Sequence, residues 1–203
     1  MNIIEVRADE KALLHAVTAV HMETFPGFFL TFMGKGFLQK MYLSYCEYGE
    51  AALLAAVEDG RVLGFLAYAC DMSGLYKYMI RHPLFAFARY SAGAFFRKPS
   101  VFMRLLRAFL KPSETKREEA YVELASIGTA PAAKQRGIGT ALIDALKARV
   151  DFAKYAYITL ETDAVDNEAV NRFYQKNGFT LARTYETREG RKMNEYRYRK
   201  GDA

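Results

Sequence analysis

Strand-like and helix-like stretches interleave along this chain, which predicts an α/β fold of the α+β kind, a sheet with helices packed on it. Three observations carry that reading. Apolar runs 51–57 and 62–68 flank Asp59-Gly60, the signal of a two-residue hairpin turn. Residues 180–188 and 192–199 repeat the pattern around Glu189-Gly190. Outside these pairs, apolar residues recur at i, i+3, i+4 and i+7, the stripe of a helix with one buried face. At 203 residues, 51% hydrophobic and 26% charged, the chain suits one globular domain spanning 1–203.

Asn2 to Arg7 reads as a short strand. Leu13, Ala16, Val17 and Val20 then stripe a helix that Pro26-Gly27 should end, and Leu38, Met41, Tyr42 and Tyr45 stripe a second that ends near Gly49. After the first hairpin, Met72 to Ser113 is aromatic and basic and is broken by Pro83, Gly93, Pro99 and Pro112, a helical insertion over 72–113 between two strands. Between Pro99 and Pro112, Phe102, Leu105, Leu106 and Phe109 share one face while Arg104, Arg107 and Lys111 lie nearly opposite, a basic amphipathic helix. Ala120 to Thr129 is the next strand, followed by a Lys/Gly loop and a helix striped by Ile138, Ala141, Leu142, Ala145 and Leu146. Tyr155 to Thr162 is rich in β-formers. Asp166 to Asn177 is a short helix with Val170, Phe173 and Tyr174 inward, closed by a left-handed cap at Asn177-Gly178 with Phe179 as its hydrophobic contact.

The net charge of +6 is local. Residues 72–113 hold eight basic side chains and no acid, and the remaining 21 basic and 23 acidic residues leave the rest of the chain at −2. Basic and aromatic residues interleave there without a nucleic-acid-binding motif, so no nucleic-acid partner is expected. Cys46 and Cys70 lie far apart with no histidine at ligand spacing, which points to neither a disulfide nor a metal site. No apolar run reaches the roughly 18 residues of a membrane span. Glu5, Asp9 and Glu10 do not suit a signal peptide, so the expected location is cytoplasmic.

The segment Lys134-Gln135-Arg136-Gly137-Ile138-Gly139-Thr140 joins a strand to a helix. Helix-start N–H groups point outward there, the helix dipole favours an anion, and Lys134 and Arg136 add charge, with Asp144 as the first acid. A phosphate is the ligand such a loop suits, although Gly-x-Gly can also be a plain tight turn. A dinucleotide fingerprint fails because Leu142 holds the third glycine position, and a Walker loop fails because six residues separate Gly27 from Gly34-Lys35.

The run from Pro131 to Gly139 resembles the R/Q-x-x-G-x-G/A signature of the GNAT superfamily of acyl-CoA-dependent N-acyltransferases. Asn167 to Phe179 resembles its second signature, Asn followed by F/L-Y-x-K-x-G-F, in the right order and at the right separation. Residues 119–180 match closely and the remaining elements loosely. Lys134 stands where the family has Arg or Gln, and Gln135 where it often has glycine. The resemblance implies a mixed, mostly antiparallel central sheet flanked by helices, with acetyl-CoA as acyl donor and no metal.

It also implies places for the chemistry. Ile127, Gly128 and Thr129 are similar to the splayed strand end that pairs with pantetheine and donates an N–H to the acyl carbonyl. Lys134, Gln135, Arg136, Gly137, Ile138, Gly139 and Thr140 match the phosphate loop, and Asn167 matches a side chain on the pantetheine or phosphate arm. Tyr174 matches the tyrosine that protonates the CoA thiolate, and its position on the helix stripe also suits a core aromatic. Glu123 is similar in register to a catalytic glutamate. Strand alternation puts Tyr121, Glu123, Ala125, Ile127 and Thr129 on one face, where an acid is either a paired structural group or a general base. His21, at a stripe edge beside Phe25, Phe28 and Phe29, reads as packing ahead of chemistry.

The expected activity is an N-acetyltransferase acting on the primary amine of a small, anionic acceptor, an amino sugar or sugar nucleotide, because the insertion supplies cations and aromatic faces. A protein or peptide N-acetyltransferase is the alternative within the class. A non-catalytic CoA-fold module, using the basic helix against an anionic membrane surface or an acidic partner, is the alternative outside it. The oligomeric state is open, with a dimer as one option.

Overall fold

Residues 51–57 are apolar almost without interruption because the strand they form is buried on both faces. In the computed structural model, which describes residues 1–81, 119–187 and 190–201, Leu53 and Ala55 of strand β2 (Ala51–Glu58) enter one core cluster, and Leu54 and Ala56 enter another. Around it, seven strands order as β1-β2-β3-β4-β5-β7-β6 among the described residues. They are β1 (Asn2–Glu5), β2, β3 (Arg61–Ala69), β4 (Tyr121–Thr129), β5 (Tyr157–Asp163), β6 (Thr180–Glu186) and β7 (Lys192–Tyr198). Every neighbouring pair is antiparallel except β4 and β5. The β2–β3 turn takes Asp59 and Gly60 through positive φ, 49° and 72°, as the expected hairpin requires.

Helices α1 (Lys11–Thr24), α2 (Phe29–Met33), α3 (Lys35–Glu47) and α4 (Met72–Arg81) supply the core on one face of the sheet. On the other face lie α5 (Ile138–Arg149) and α6 (Glu168–Lys176), under which Leu142, Ile143, Leu146, Tyr174 and Phe179 form the second cluster. The stripe of α3 is as read: Leu38, Met41, Tyr42 and Tyr45 are all buried. In α1 the buried face is turned from the expected one. Val17 and Val20 are buried as read, but Leu14, Thr18 and His21 join them while Leu13 and Ala16 are only half-buried; Thr18 satisfies its hydroxyl on the Leu14 carbonyl (2.8 Å) and so costs little inside. The five-residue α2 follows Pro26-Gly27, where the sequence reading assigned no element.

The helix α6 closes as its sequence demands. Gly178 N–H donates to the Gln175 carbonyl (2.9 Å) and Phe179 N–H to that of Tyr174 (3.1 Å), with Gly178 at φ 77°. Val170, expected inward, is exposed. Of the insertion, α4 is helical as read. The amphipathic helix expected between Pro99 and Pro112, with Arg104, Arg107 and Lys111, lies outside the described residues.

Candidate active site

Strand β4 carries one residue too many for its neighbour. Ala67 of β3 pairs with Ser126 and Tyr68 with Leu124, so Ala125 is an unpaired bulge. Alternation restarts beyond it. Ile127 therefore joins Val122 and Leu124 in the cluster under α5 and α6, while Gly128 lies against Phe65 and Phe25 on the opposite face, the face of Glu123 and Ser126. The expected single face for Glu123 and Ile127 is corrected by this bulge, which depends on pairing with a distant strand.

The same distortion parts the sheet. Pairing between β4 and β5 runs through Tyr121 with Tyr157, Val122 with Ile158 and Glu123 with Thr159, and there it stops, although β4 continues to Thr129 and β5 to Asp163. Ile127, Gly128 and Thr129 hydrogen-bond to β3 on one side and have no strand on the other among the described residues. Backbone groups along that edge are available to an extended ligand.

After β4, a short turn at Pro131–Ala133 leads to Gln135 (φ 64°) and Gly137 (φ 74°), and α5 begins at Ile138. No acid and no side-chain cap occupies its first turn, so its N–H groups stay open to an anion. A Cβ on Gly137 would meet nothing within 4 Å; Gly137 is needed for its left-handed backbone. Gly139 is needed for a different reason, since a Cβ there would come within 2.9 Å of the Phe173 ring. Lys134, Gln135 and Thr140 are exposed around this start. Arg136 is turned aside: its Nη2 sits 2.5 Å from Glu58 Oε2 at the β2–β3 hairpin and holds that carboxyl below the usual carboxylate range.

Tyr174 hangs from α6 into the second cluster, ringed by Phe173, Phe179 and Tyr196, and burial pushes its hydroxyl's pKa well up. Asn167 occupies the cap position of α6 without capping it. Its Nδ2 donates to Thr162 Oγ1 (2.8 Å) and to the Asp163 carbonyl (3.1 Å), tying the helix to the end of β5. Asn171, unmarked in the sequence reading, extends the tie: its Nδ2 donates to Asp163, and its Oδ1 accepts from Asn194 (2.9 Å) and the Tyr196 hydroxyl (3.0 Å).

On the opposite face, a cavity of about 190 Å³ opens beside the bulge. Glu123, Ala125 and Ser126 form its floor, and Met41, Tyr42, Tyr45, Met72, Tyr76 and Met79 belong to its walls. Burial keeps the Tyr45 and Tyr76 phenols neutral, helped by the nearby Glu123 carboxylate. Within the wall, Tyr42 is fully buried, bonds to the Ser126 side chain and meets His21 Nδ1 behind it. His21 is packed among Phe25, Tyr42 and Phe65, and its Nε2 is buried with no partner among the described residues. Sequence reading took Tyr42 and Tyr45 as helix stripe only; a phenol twice on a buried stripe was the available signal.

The sequence model of the acetyltransferase (GNAT) family matches residues 14–179. The chain belongs to that family. Solved structures share the GNAT fold. A GNAT-family protein from Desulfovibrio desulfuricans superposes with a TM-score of 0.63 at 18% identity, covering 98% of each chain. An aminoglycoside 6′-acetyltransferase of type Ii gives 0.61 at 16% identity, over 98% of this chain and 97% of that one. The ribosomal-protein-S18-alanine N-acetyltransferase from Escherichia coli gives 0.57 at 15%, over 98% and 92%. A search of curated proteins found no match.

As a GNAT acetyltransferase, the chain takes acetyl-CoA as its acyl donor. The residues present fit that group. An uncapped helix start without acids suits the phosphates, and a strand edge left without a partner suits the pantetheine amides. Ile127–Thr129 line the unpaired edge of β4, the 134–140 connection follows it directly, and Asn167 is tied to the end of β5. Tyr174 belongs to the cluster under α5 and α6, and Glu123 lines the cavity on the opposite face.

Proposed function

We propose that the protein is an N-acetyltransferase that moves the acetyl group of acetyl-CoA onto the primary amine of a small acceptor. The observation that carries this reading is the parting of β4 from β5 directly beside a cavity whose described lining holds a single formal charge, Glu123. Ile127 to Thr129 would pair with the pantetheine arm. Backbone N–H groups at Gly137–Thr140, with Lys134, Gln135 and Arg136 around them, would hold the phosphates, and Asn167 borders the arm.

Acetyl-CoA supplies a thioester-activated acetyl group. The residues of the chain handle the protons. A primary alkylamine is an ammonium in neutral water, with a pKa near 10. Desolvation in the cavity loosens its proton, and Glu123 accepts it, directly or through one water, which leaves a nitrogen lone pair free to attack. A β4 backbone N–H donates to the carbonyl oxygen as charge grows on it. The N–C bond forms, the C–S bond breaks, and the Tyr174 hydroxyl donates to the departing sulfur. Because burial raises the Tyr174 pKa, this phenol stays protonated and ready to donate at every working pH.

The anionic acceptor expected from the sequence draws on the eight cations of 72–113; six of them lie outside the described residues, and the two on α4, Lys77 and Arg81, are exposed and are not part of the described cavity lining, which lends that acceptor no support. Thiol release from acetyl-CoA, measured against a panel of amines alongside thermal protection by CoA, tests the proposal. Amine-dependent release with protection is expected; no protection by millimolar CoA and no release with any amine would overturn it.

A further inference from the structure

The walls of the cavity restrict what the reacting amine is attached to. Its 190 Å³ is slightly more than the roughly 150 Å³ of an apolar cavity that accepts benzene, so one ring with a short arm fills it. Leu30, Met41, Met72 and Met79 offer alkyl and thioether surface. Thioethers are flexible and polarizable and make favourable contacts with ring edges.

Two of the polar side chains in the wall are bonded to each other and into the core. The Tyr42 hydroxyl spans His21 Nδ1, at 2.6 Å, and the Ser126 side chain, so neither side chain is at liberty to serve a bed of sugar hydroxyls. A polyhydroxylated acceptor would strip water from its hydroxyls against methionine and leucine without replacing the lost hydrogen bonds. A phosphorylated or carboxylated acceptor would bring its negative charge towards Glu123 in a site of low dielectric. An ammonium, by contrast, meets a carboxylate and the faces of neutral tyrosines, both of which attract a cation.

Resting on the acetyltransferase reading, we propose that the cavity takes a compact, uncharged apolar or aromatic body bearing one primary amine, the arylalkylamine or short alkylamine class. The ammonium end lies at Glu123 beside the strand parting, and the body points between α3 and α4, against Met41, Met72 and Met79. An amino sugar or its phosphate is the wrong class for this wall.

Steady-state kinetics at saturating acetyl-CoA test this with phenethylamine, glucosamine and phosphorylated glucosamine. The expected kcat/KM is about 100-fold or more higher for phenethylamine than for either sugar, the scale of discrimination that unpaired polar groups impose. Met72, half-buried at the start of α4, marks the position of the body. Met72→Trp should raise the phenethylamine KM about tenfold, and Met72→Ala should shift preference towards phenylbutylamine, with the acetyl-CoA KM unchanged in both. Either variant suffices, and thermal protection by CoA reports that it is folded. Preference for a sugar amine, or indifference to both Met72 variants, overturns the substrate class and leaves the acetyltransferase reading standing. No thiol release with any amine, together with no protection by CoA, removes that reading itself, and this inference with it.

Discussion

The Nδ1 of His21 lies 2.6 Å from the Tyr42 hydroxyl, and both side chains are sealed from solvent. This bond joins α1 to α3, and through Ser126 it reaches the bulge of β4. Burial lowers the His21 pKa from 6.5 to about 4, so the ring is neutral in the folded protein at physiological pH. With Tyr42 donating to Nδ1, the remaining proton sits on the unpartnered Nε2.

That pair makes folding stability depend on pH. The unfolded ring binds a proton below about 6.5, the folded one only below about 4. Between those values the unfolded chain holds the extra proton, so stability climbs with pH through the window and its full contribution is present above 6.5. Falling pH removes roughly 3 kcal/mol, the energy of a shift of this size. Urea unfolding from pH 4 to 7 should show this slope in the parent protein and lose it in His21→Gln. An identical slope in both would assign the acid sensitivity elsewhere.

The two loop glycines should fail in different ways. Gly137→Ala places its Cβ in open space but forces a left-handed backbone at about 1–2 kcal/mol; the larger Gly137→Val should abolish thermal protection by CoA while the protein stays folded. Gly139→Ala drives a methyl into the Phe173 ring next to Tyr174, so its melting temperature should fall even without ligand. Equal melting temperatures for the parent and Gly139→Ala would contradict the packing role.

Acid and base are separable by kinetics. Tyr174→Phe keeps the ring among Phe173, Phe179 and Tyr196, so CoA binding and stability should change little while kcat drops by about one to two orders of magnitude. Glu123→Gln should cut kcat by about a hundredfold and flatten the acidic limb of the pH–rate profile. Normal turnover per folded molecule in Glu123→Gln would make the carboxylate structural.

Arg136 offers a gain-of-binding test. Glu58 holds its guanidinium and also faces the N-terminal amine at 3.6 Å. Glu58→Gln should release Arg136 towards the phosphates and tighten CoA binding a few-fold at low salt, an effect that fades as ionic strength rises. In an Arg136→Gln background the same change should do nothing; tightening there would point to general charge rather than this pair.

Much of the scaffold was legible because its signals are local. Asp59-Gly60 dictates its own turn, Asn177-Gly178-Phe179 its own helix end, and the α3 stripe follows from 3.6 residues per turn. The 134–140 connection was legible for the same reason, as a run of residues between one strand and the next helix. What escaped depends on partners far along the chain. The bulge at Ala125 exists only relative to β3, and the Arg136–Glu58 bond spans 78 residues, so the loop's charge could be counted but not aimed. The cavity beside Glu123 escaped because it is assembled largely from α3, α4 and β4, each of which contributes residues that look like ordinary core.

Glu123 and Tyr174 stand on opposite faces of one sheet, and β4 parts from β5 just past the Glu123–Thr159 pair. Under the proposed function the sheet would work as a partition with a slot, admitting a different guest from each side. Changes to the α3 and α4 wall alter one guest's lodging without touching the loop and helix start that serve the other. Such a layout lets the acceptor side drift through evolution while the donor side is kept, in keeping with a fold whose members include an aminoglycoside acetyltransferase and a ribosomal-protein acetyltransferase.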